Sequence, residues 1–237
     1  AKANALRQKN DPIILAVHSD ILQQFRLAAK GQRPGRTPPA HLKDRIVQFF
    51  DPLPFWYPPL EDAVTQLSEF SMNAITQRPM AMYHSWDSQN AWLRQIHSHN
   101  YLHINTKTAV DHGIEDGAWI WVESQWGKVR CMARHTEAVE PGTVWTWNAI
   151  GKAESAWHLD PNADESKKGF LLNHLITEEI PLANSAGTFR VSNSDPITGQ
   201  AGWYDVRVKL SPAGAHEEHD TWPKARTAIV PGMIHGK

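Results

Sequence analysis

Two different periods divide this chain. Over 19–30, Ile21, Leu22, Phe25, Ala28 and Ala29 fall on one side of a 3.6-residue repeat, which predicts an amphipathic helix. Ser19 suits its N-cap and Gly31 its stop. A second short helix is predicted over 40–49. Between the two, prolines, glycines and arginines over 31–39 read as an exposed loop. Ahead of the first helix, the apolar run 13–17 is short enough to pair as a strand. After the second helix, the prolines of 51–59 alternate with Leu53, Phe55, Trp56 and Tyr57. Fixed φ angles among large apolar groups predict an extended strap packed on something. A proline-rich ligand peptide is the alternative, disfavoured because its aromatics need burial.

Beyond Phe70 the repeat shortens to two. Lys128, Arg130, Met132 and Arg134 alternate with Val129, Cys131 and Ala133, the mark of a half-buried strand. The run 118–122 before it is apolar throughout and reads as a strand buried on both faces. Gln125, Trp126 and Gly127 supply a hairpin turn between them. Turn chemistry at 113–117 and at Glu140-Pro141-Gly142 brackets the pair, and further strands are predicted over 143–147 and 203–210. Short strands, tight turns and few helices predict a mainly β fold with flanking helices, closed into a barrel rather than a doubly wound sheet. Periodicity alone fits any small closed barrel.

Composition narrows the function classes. At 237 residues the chain suits one large domain, or a domain with an extension. A formal net charge of −1 argues against nucleic acid as a partner and against a general membrane-surface binder. No window has the apolar length of a membrane span, and no secretory segment opens the chain; its start reads as an arbitrary cut. A single cysteine, Cys131, excludes an internal disulfide and any multi-cysteine zinc or iron–sulfur site. Eleven tryptophans suggest core packing for most, with broad interfaces or a large ligand footprint for the rest.

Several clusters invite chemistry that their context does not favour. His97, His99 and His103 have ligand-like spacing for zinc or copper, but lie where a loop runs into a strand, so packed or solvated rings are expected. His216 and His219 are three apart, not the four of a zincin helix, and their tail reads as a disordered acidic segment. The 160–168 stretch lacks calcium-loop spacing and reads as a solvated excursion inside a surface insertion, 151–169. Cys131, on the apolar side of its strand, is expected to be a core thiol and not a nucleophile.

One region holds chemistry that a core does not need. Thr76, Gln77 and Arg78 follow the apolar anchors Phe70, Met72 and Ile75, and His84 and Ser85 come soon after. A guanidinium can fork across two phosphate oxygens, and hydroxyls with backbone N–H groups can complete an anion site. The structural alternative is that Thr76, Ser85 and Asn173 cap turns while Arg78 satisfies carbonyls beside Pro79.

Taken with two later segments, this region resembles the cofactor-capping C-terminal domain of the molybdopterin oxidoreductases, the dimethyl sulfoxide reductase family. The resemblance rests on Thr76-Gln77-Arg78, His84-Ser85, Asn173-His174-Leu175-Ile176-Thr177 and Asp195-Pro196-Ile197-Thr198-Gly199-Gln200, in family order over about 70–210. It implies a six-stranded double-psi β-barrel over 66–211; the sequence on either side reads as an N-terminal extension over 1–65 and a flexible tail over 212–237. It implies that Thr76, Gln77 and Arg78 face the pyrophosphate and pterin of molybdopterin guanine dinucleotide. His84 and Ser85 would lie beneath the pterin edge, Asn173 would meet the cofactor from the second segment, and Gln200 and Trp203 would approach near the end. Gln77 stands where many members have Gly, and residues 178–192 separate parts that are closer in many relatives.

The family's molybdenum ligand and its four-cysteine iron–sulfur motif belong to other domains, so no catalytic or metal-ligating residue is assigned. The isolated chain is expected to hold no metal and to be catalytically silent. Within the family the motifs look closest to sulfite-oxidising catalytic subunits, with thiosulfate or polysulfide reduction as the alternative, and a stand-alone interaction module as a different class. The partners implied are the remaining domains of the same polypeptide, an iron–sulfur electron-transfer subunit, and a membrane anchor subunit. The location implied is cytoplasmic and membrane-associated.

Overall fold

A computed structural model of the chain describes residues 19–35, 37–83, 87, 90–97, 99–148, 170–184, 187–201 and 206–214. The predicted 13–17 strand, the 151–169 insertion and the 216–220 cluster lie outside these residues. The chain divides into two compact units, one of 1–58, 181–190 and 194–200, the other of 59–180, 191–193 and 201–237.

The first unit holds helices α1 (Ser19–Ala29) and α2 (Ala40–Phe49), on the residues whose apolar period predicts them. Phe49 is buried and stacks edge-on against Tyr57 at 4.8 Å. Of the remaining strap, Leu53 and Trp56 are 72% and 82% exposed, so the aromatics of this stretch are only partly packed. The Asp195 turn belongs to the same unit. Asp195 Oδ1 accepts from the backbone N–H groups of Ile197 and Thr198, and Gly199 closes the turn at φ +72°.

The second unit is the barrel. Its six strands are β1 (Met72–Gln77), β2 (Tyr101–Asn105), β3 (Trp119–Glu123), β4 (Lys128–Thr136), β5 (Thr143–Trp147) and β8 (Val206–Pro212), closed in the order β1-β5-β2-β4-β3-β8. The six-stranded closed barrel that the resemblance implies is thus the fold observed. β1 runs parallel to β5 and β2 parallel to β4, and the other four neighbours are antiparallel. Between the strands lie helices α3 (Ala91–Ile96) and α4 (Thr106–Asp111). Asn90 caps the first and Asn105 the second, each accepting two backbone N–H bonds. A hairpin of β6 (Glu179–Asn184) and β7 (Gly187–Ser192), with its 181–190 part in the first unit, forms a separate two-stranded sheet.

Inward positions alternate as a period of two requires. Ile104, Ile120, Val122, Val129, Val144 and Val208 are fully buried. Cys131 joins them, and burial pushes its thiol far above the ordinary range, so it is inert packing. β3 departs from the expectation of two buried faces. Trp119 and Trp121 face outward and are only half-buried, while Ile120 and Val122 alone point into the core. The outward rings are covered by cations from the next strand, Arg130 over Trp119 at 5.1 Å and Lys128 over Trp121 at 4.3 Å. An apolar run can therefore be an amphipathic strand when its outer members are indoles.

Candidate functional site

The pairing registers place particular strand ends together. Gln77 pairs with Trp147 in the parallel β1–β5 ladder, Glu123 with Lys128 in β3–β4, and Ala74 with Val206 in β1–β8. The C-terminal ends of β1, β3 and β5 therefore share one rim with the N-terminal ends of β2, β4 and β8. At that rim lie the 124–127 hairpin turn and the residues beside the strand ends, Arg78 after β1, Asn100 before β2 and Asn148 after β5.

Thr76 lies within β1 opposite Thr146 and is half-buried. Gln77 is the last residue of the strand and Arg78 the first beyond it, both exposed. Asn173 sits exposed in a short 3-10 turn, Leu172–Leu175. What draws this turn to the rim is a set of buried polar residues. Asn100, 3% exposed, donates through Nδ2 to the carbonyls of Trp147 (3.1 Å) and Phe170 (3.3 Å), and accepts from Thr146 Oγ1 at 2.8 Å. One amide thereby ties the end of β5, beside Gln77, to the segment that leads into Asn173.

The hairpin turn holds the same segment further along. Ser124 Oγ donates to the Leu175 carbonyl at 2.7 Å and accepts from the N–H groups of Trp126 and Gly127. A Cβ on Gly127 would lie 2.2 Å from the His174 carbonyl oxygen, so the backbones meet there with no room for a side chain. Asn193 adds a third hold, donating through Nδ2 to the Thr177 carbonyl at 3.2 Å. His174, half-buried, has its imidazole pKa lowered by that burial.

Under the hairpin is an ionisable group. Glu61, 3% exposed, accepts from Trp126 Nε1–H at 3.0 Å, and Thr65 Oγ1–H donates to its carbonyl at 2.8 Å. Burial pushes its carboxyl up to about 7, against the opposing bonds from Trp126 and Asn193.

Of the other residues singled out by sequence, Gln200 lies exposed in the first unit, its carbonyl accepting from Asp195 N–H at 2.7 Å. His84, Ser85 and Trp203 lie outside the described residues. His97, His99 and His103 each meet an aromatic ring: Trp147 at 5.4 Å, Tyr101 at 5.4 Å and Trp145 at 3.8 Å. The His103–Trp145 planes are 4° apart, and burial pushes the imidazole down to about 4. Among the described residues no group of three or more His, Cys, Asp or Glu is placed to hold a metal ion, and no helix is long and apolar enough to cross a membrane.

Sequence pattern does not single out Asn100, Ser124 or Asn148, and it marks Gly127 only as a turn. Asn148 follows β5, donates its N–H to the Gln77 carbonyl at 2.7 Å and is 8% exposed, yet its Oδ1 has no hydrogen-bond partner among the described residues. An exposed guanidinium, two exposed side-chain amides and a buried amide oxygen without a donor suit a polyanionic ligand that carries hydrogen-bonding heterocycles. A pterin dinucleotide has those two features, and the rim residues fit it.

Barrel and rim together define a cofactor-binding domain. The chain belongs to the molydopterin dinucleotide binding domain family, whose pattern matches residues 72–191. It is 60% identical over 224 residues to a sulfite dehydrogenase subunit of Allochromatium vinosum, covering 94% of this chain and 23% of that protein. It is 29% identical over 119 residues to dopamine dehydroxylase of Eggerthella lenta, covering 43% of this chain and 12% of that protein. Among solved structures, acetylene hydratase from Pelobacter acetylenicus superposes with a TM-score of 0.50 at 18% identity, over 72% of this chain and 22% of that one, a likeness of fold. The chain spans less than a quarter of the length of each of these relatives.

Proposed function

We propose that this chain is the cofactor-binding part of a molybdenum oxidoreductase catalytic subunit that converts sulfite and water to sulfate, two protons and two electrons. The observation that carries the proposal is the 60% identity over 94% of the chain to a sulfite dehydrogenase subunit. Arg78 grips the pyrophosphate of molybdopterin guanine dinucleotide as a bidentate donor, with Thr76 and Gln77 lining the same edge. Asn173 meets the cofactor from the second segment, and Asn100, Ser124 and Gly127 keep that segment at the rim. The resemblance also assigns cofactor contacts to His84, Ser85, Gln200 and Trp203. When bound, the cofactor's molybdenum supplies the two-electron chemistry; this domain supplies binding and orientation.

That relative is named as one subunit of its enzyme, which supports an assembly with further subunits. In our reading these include an iron–sulfur electron-transfer protein and a membrane anchor, passing electrons to quinone on the cytoplasmic side. The test is turnover by the purified full-length protein with an artificial electron acceptor. Sulfite-dependent acceptor reduction is expected, with thiosulfate and polysulfide inactive as electron donors and as substrates for reduction. Reduction of thiosulfate or polysulfide without sulfite oxidation would overturn the assignment.

A further inference from the structure

Asn148 is built into the rim, yet its side-chain oxygen finds no donor there. Its backbone is fixed by the bond to the Gln77 carbonyl at 2.7 Å, one residue from the exposed Arg78. The residue is 8% exposed, and its Oδ1 has no hydrogen-bond partner among the described residues. Folded proteins rarely tolerate this, because an amide oxygen removed from water without a donor loses its hydration for nothing. Turning the amide over would only exchange a buried C=O for a buried N–H. The neighbouring Asn100 shows the usual solution, with both ends of its amide bonded.

We propose that Asn148 is a direct contact to the heterocycle of the bound dinucleotide, its Oδ1 accepting an N–H from the 2-aminopyrimidin-4-one edge. This inference rests on the cofactor-binding reading of the rim. Asn148 Oδ1 needs a donor, and the ligand offers its ring edge and its ribose hydroxyls, which the adenosine diphosphate probe below tells apart. Phosphate oxygens are acceptors and suit Arg78, but they cannot satisfy another acceptor. The lactam N–H and exocyclic amine of the ring are donors, and pterin and guanine share that edge. Arg78 and Asn148 thus divide the ligand between them, charge to one and ring edge to the other.

The test is equilibrium binding of three probes to the 237-residue chain and to its Asn148→Ala variant, with the melting temperature of each free protein. Guanosine 5′-diphosphate carries the edge with ribose and phosphates, 6-hydroxymethylpterin carries the edge alone, and adenosine 5′-diphosphate keeps ribose and phosphates without the edge. The substitution is expected to weaken guanosine diphosphate, hydroxymethylpterin or both by about tenfold. Adenosine diphosphate binding should not change, and the free variant should melt no lower than the unsubstituted chain. Loss confined to the pterin assigns the pterin edge, and loss confined to guanosine diphosphate assigns the guanine edge. Equal weakening of adenosine diphosphate, unchanged affinity for all three probes, or a variant that melts lower and weakens every probe alike overturns the inference for Asn148 alone. Failure of the unsubstituted chain to bind any probe overturns the reading of the rim together with it.

Discussion

A carboxyl that is 3% exposed at Glu61 makes the barrel sensitive to pH in a defined direction. Its folded pKa, about 7, is above the unfolded value, so the folded state holds a proton that the unfolded chain has released. The stability it contributes is full below about pH 4.5 and is lost as pH rises through about 7. The groups that act on it are Asp62, which raises the pKa, and Trp126, Asn193 and Arg207, which lower it. Glu61→Gln keeps an acceptor for Trp126 and removes the charge. It should raise the melting temperature at pH 8 and flatten the profile between pH 5 and 8, a gain on the order of 3 kcal/mol at the alkaline end. An unaltered pH profile would contradict this. At Arg78 the claim concerns ligand rather than stability. In the full-length protein, Arg78→Ala should lower cofactor content more than Arg78→Lys, because an ammonium keeps the charge without the fork. A charged hydrogen bond left unmade is worth about 1.5–3 kcal/mol, ten- to a hundred-fold in local affinity. If Arg78 instead braces the Pro79 turn, the domain will melt lower with cofactor per folded molecule unchanged.

Among the elements, the β3–β4 hairpin sets the height of the Asn173 turn. A methyl at Gly127 would collide with the His174 carbonyl at 2.2 Å, and neither backbone has a flexible end that can yield. Gly127→Ala should destabilise the barrel by about 1–3 kcal/mol, and the turn must shift to accommodate it. Ser124→Ala, which leaves the buried Leu175 carbonyl without its donor, should cost a similar amount, about 1–3 kcal/mol. Denaturant midpoints of the two variants check both, and midpoints equal to the unsubstituted chain would contradict the account. The hairpin is legible in sequence because a glycine stands between two runs of opposite pattern. Its second duty is not, since the partner carbonyl lies far along the chain and has no local signature. The same limit hides Asn100 and Asn148, whose roles exist only once β1 and β5 lie side by side. Pattern alone misreads the outer face of β3 because tryptophan counts as apolar, whereas here a cation covers each ring. The β6–β7 hairpin escapes it too, because residues 178–192 read as mere separation between two motifs. The helices at Ser19–Ala29 and Ala40–Phe49 are legible because their apolar stripe and flanking breakers are both local.

At the scale of the molecule, the described residues form a closed barrel with a polar rim and a buried thiol. The chain belongs to a family of dinucleotide-binding domains and spans 23% of the length of its sulfite dehydrogenase relative. The central claim is that the rim bearing Thr76, Gln77, Arg78 and Asn173 binds a pterin guanine dinucleotide. The most direct measurement is the molybdenum and guanine nucleotide content per folded full-length protein, compared between the unsubstituted form and an Arg78→Ala, Asn173→Ala double variant. The account predicts that both contents fall together in the double variant while circular dichroism shows the barrel intact. A full complement of molybdenum and guanine nucleotide in a folded double variant would contradict it.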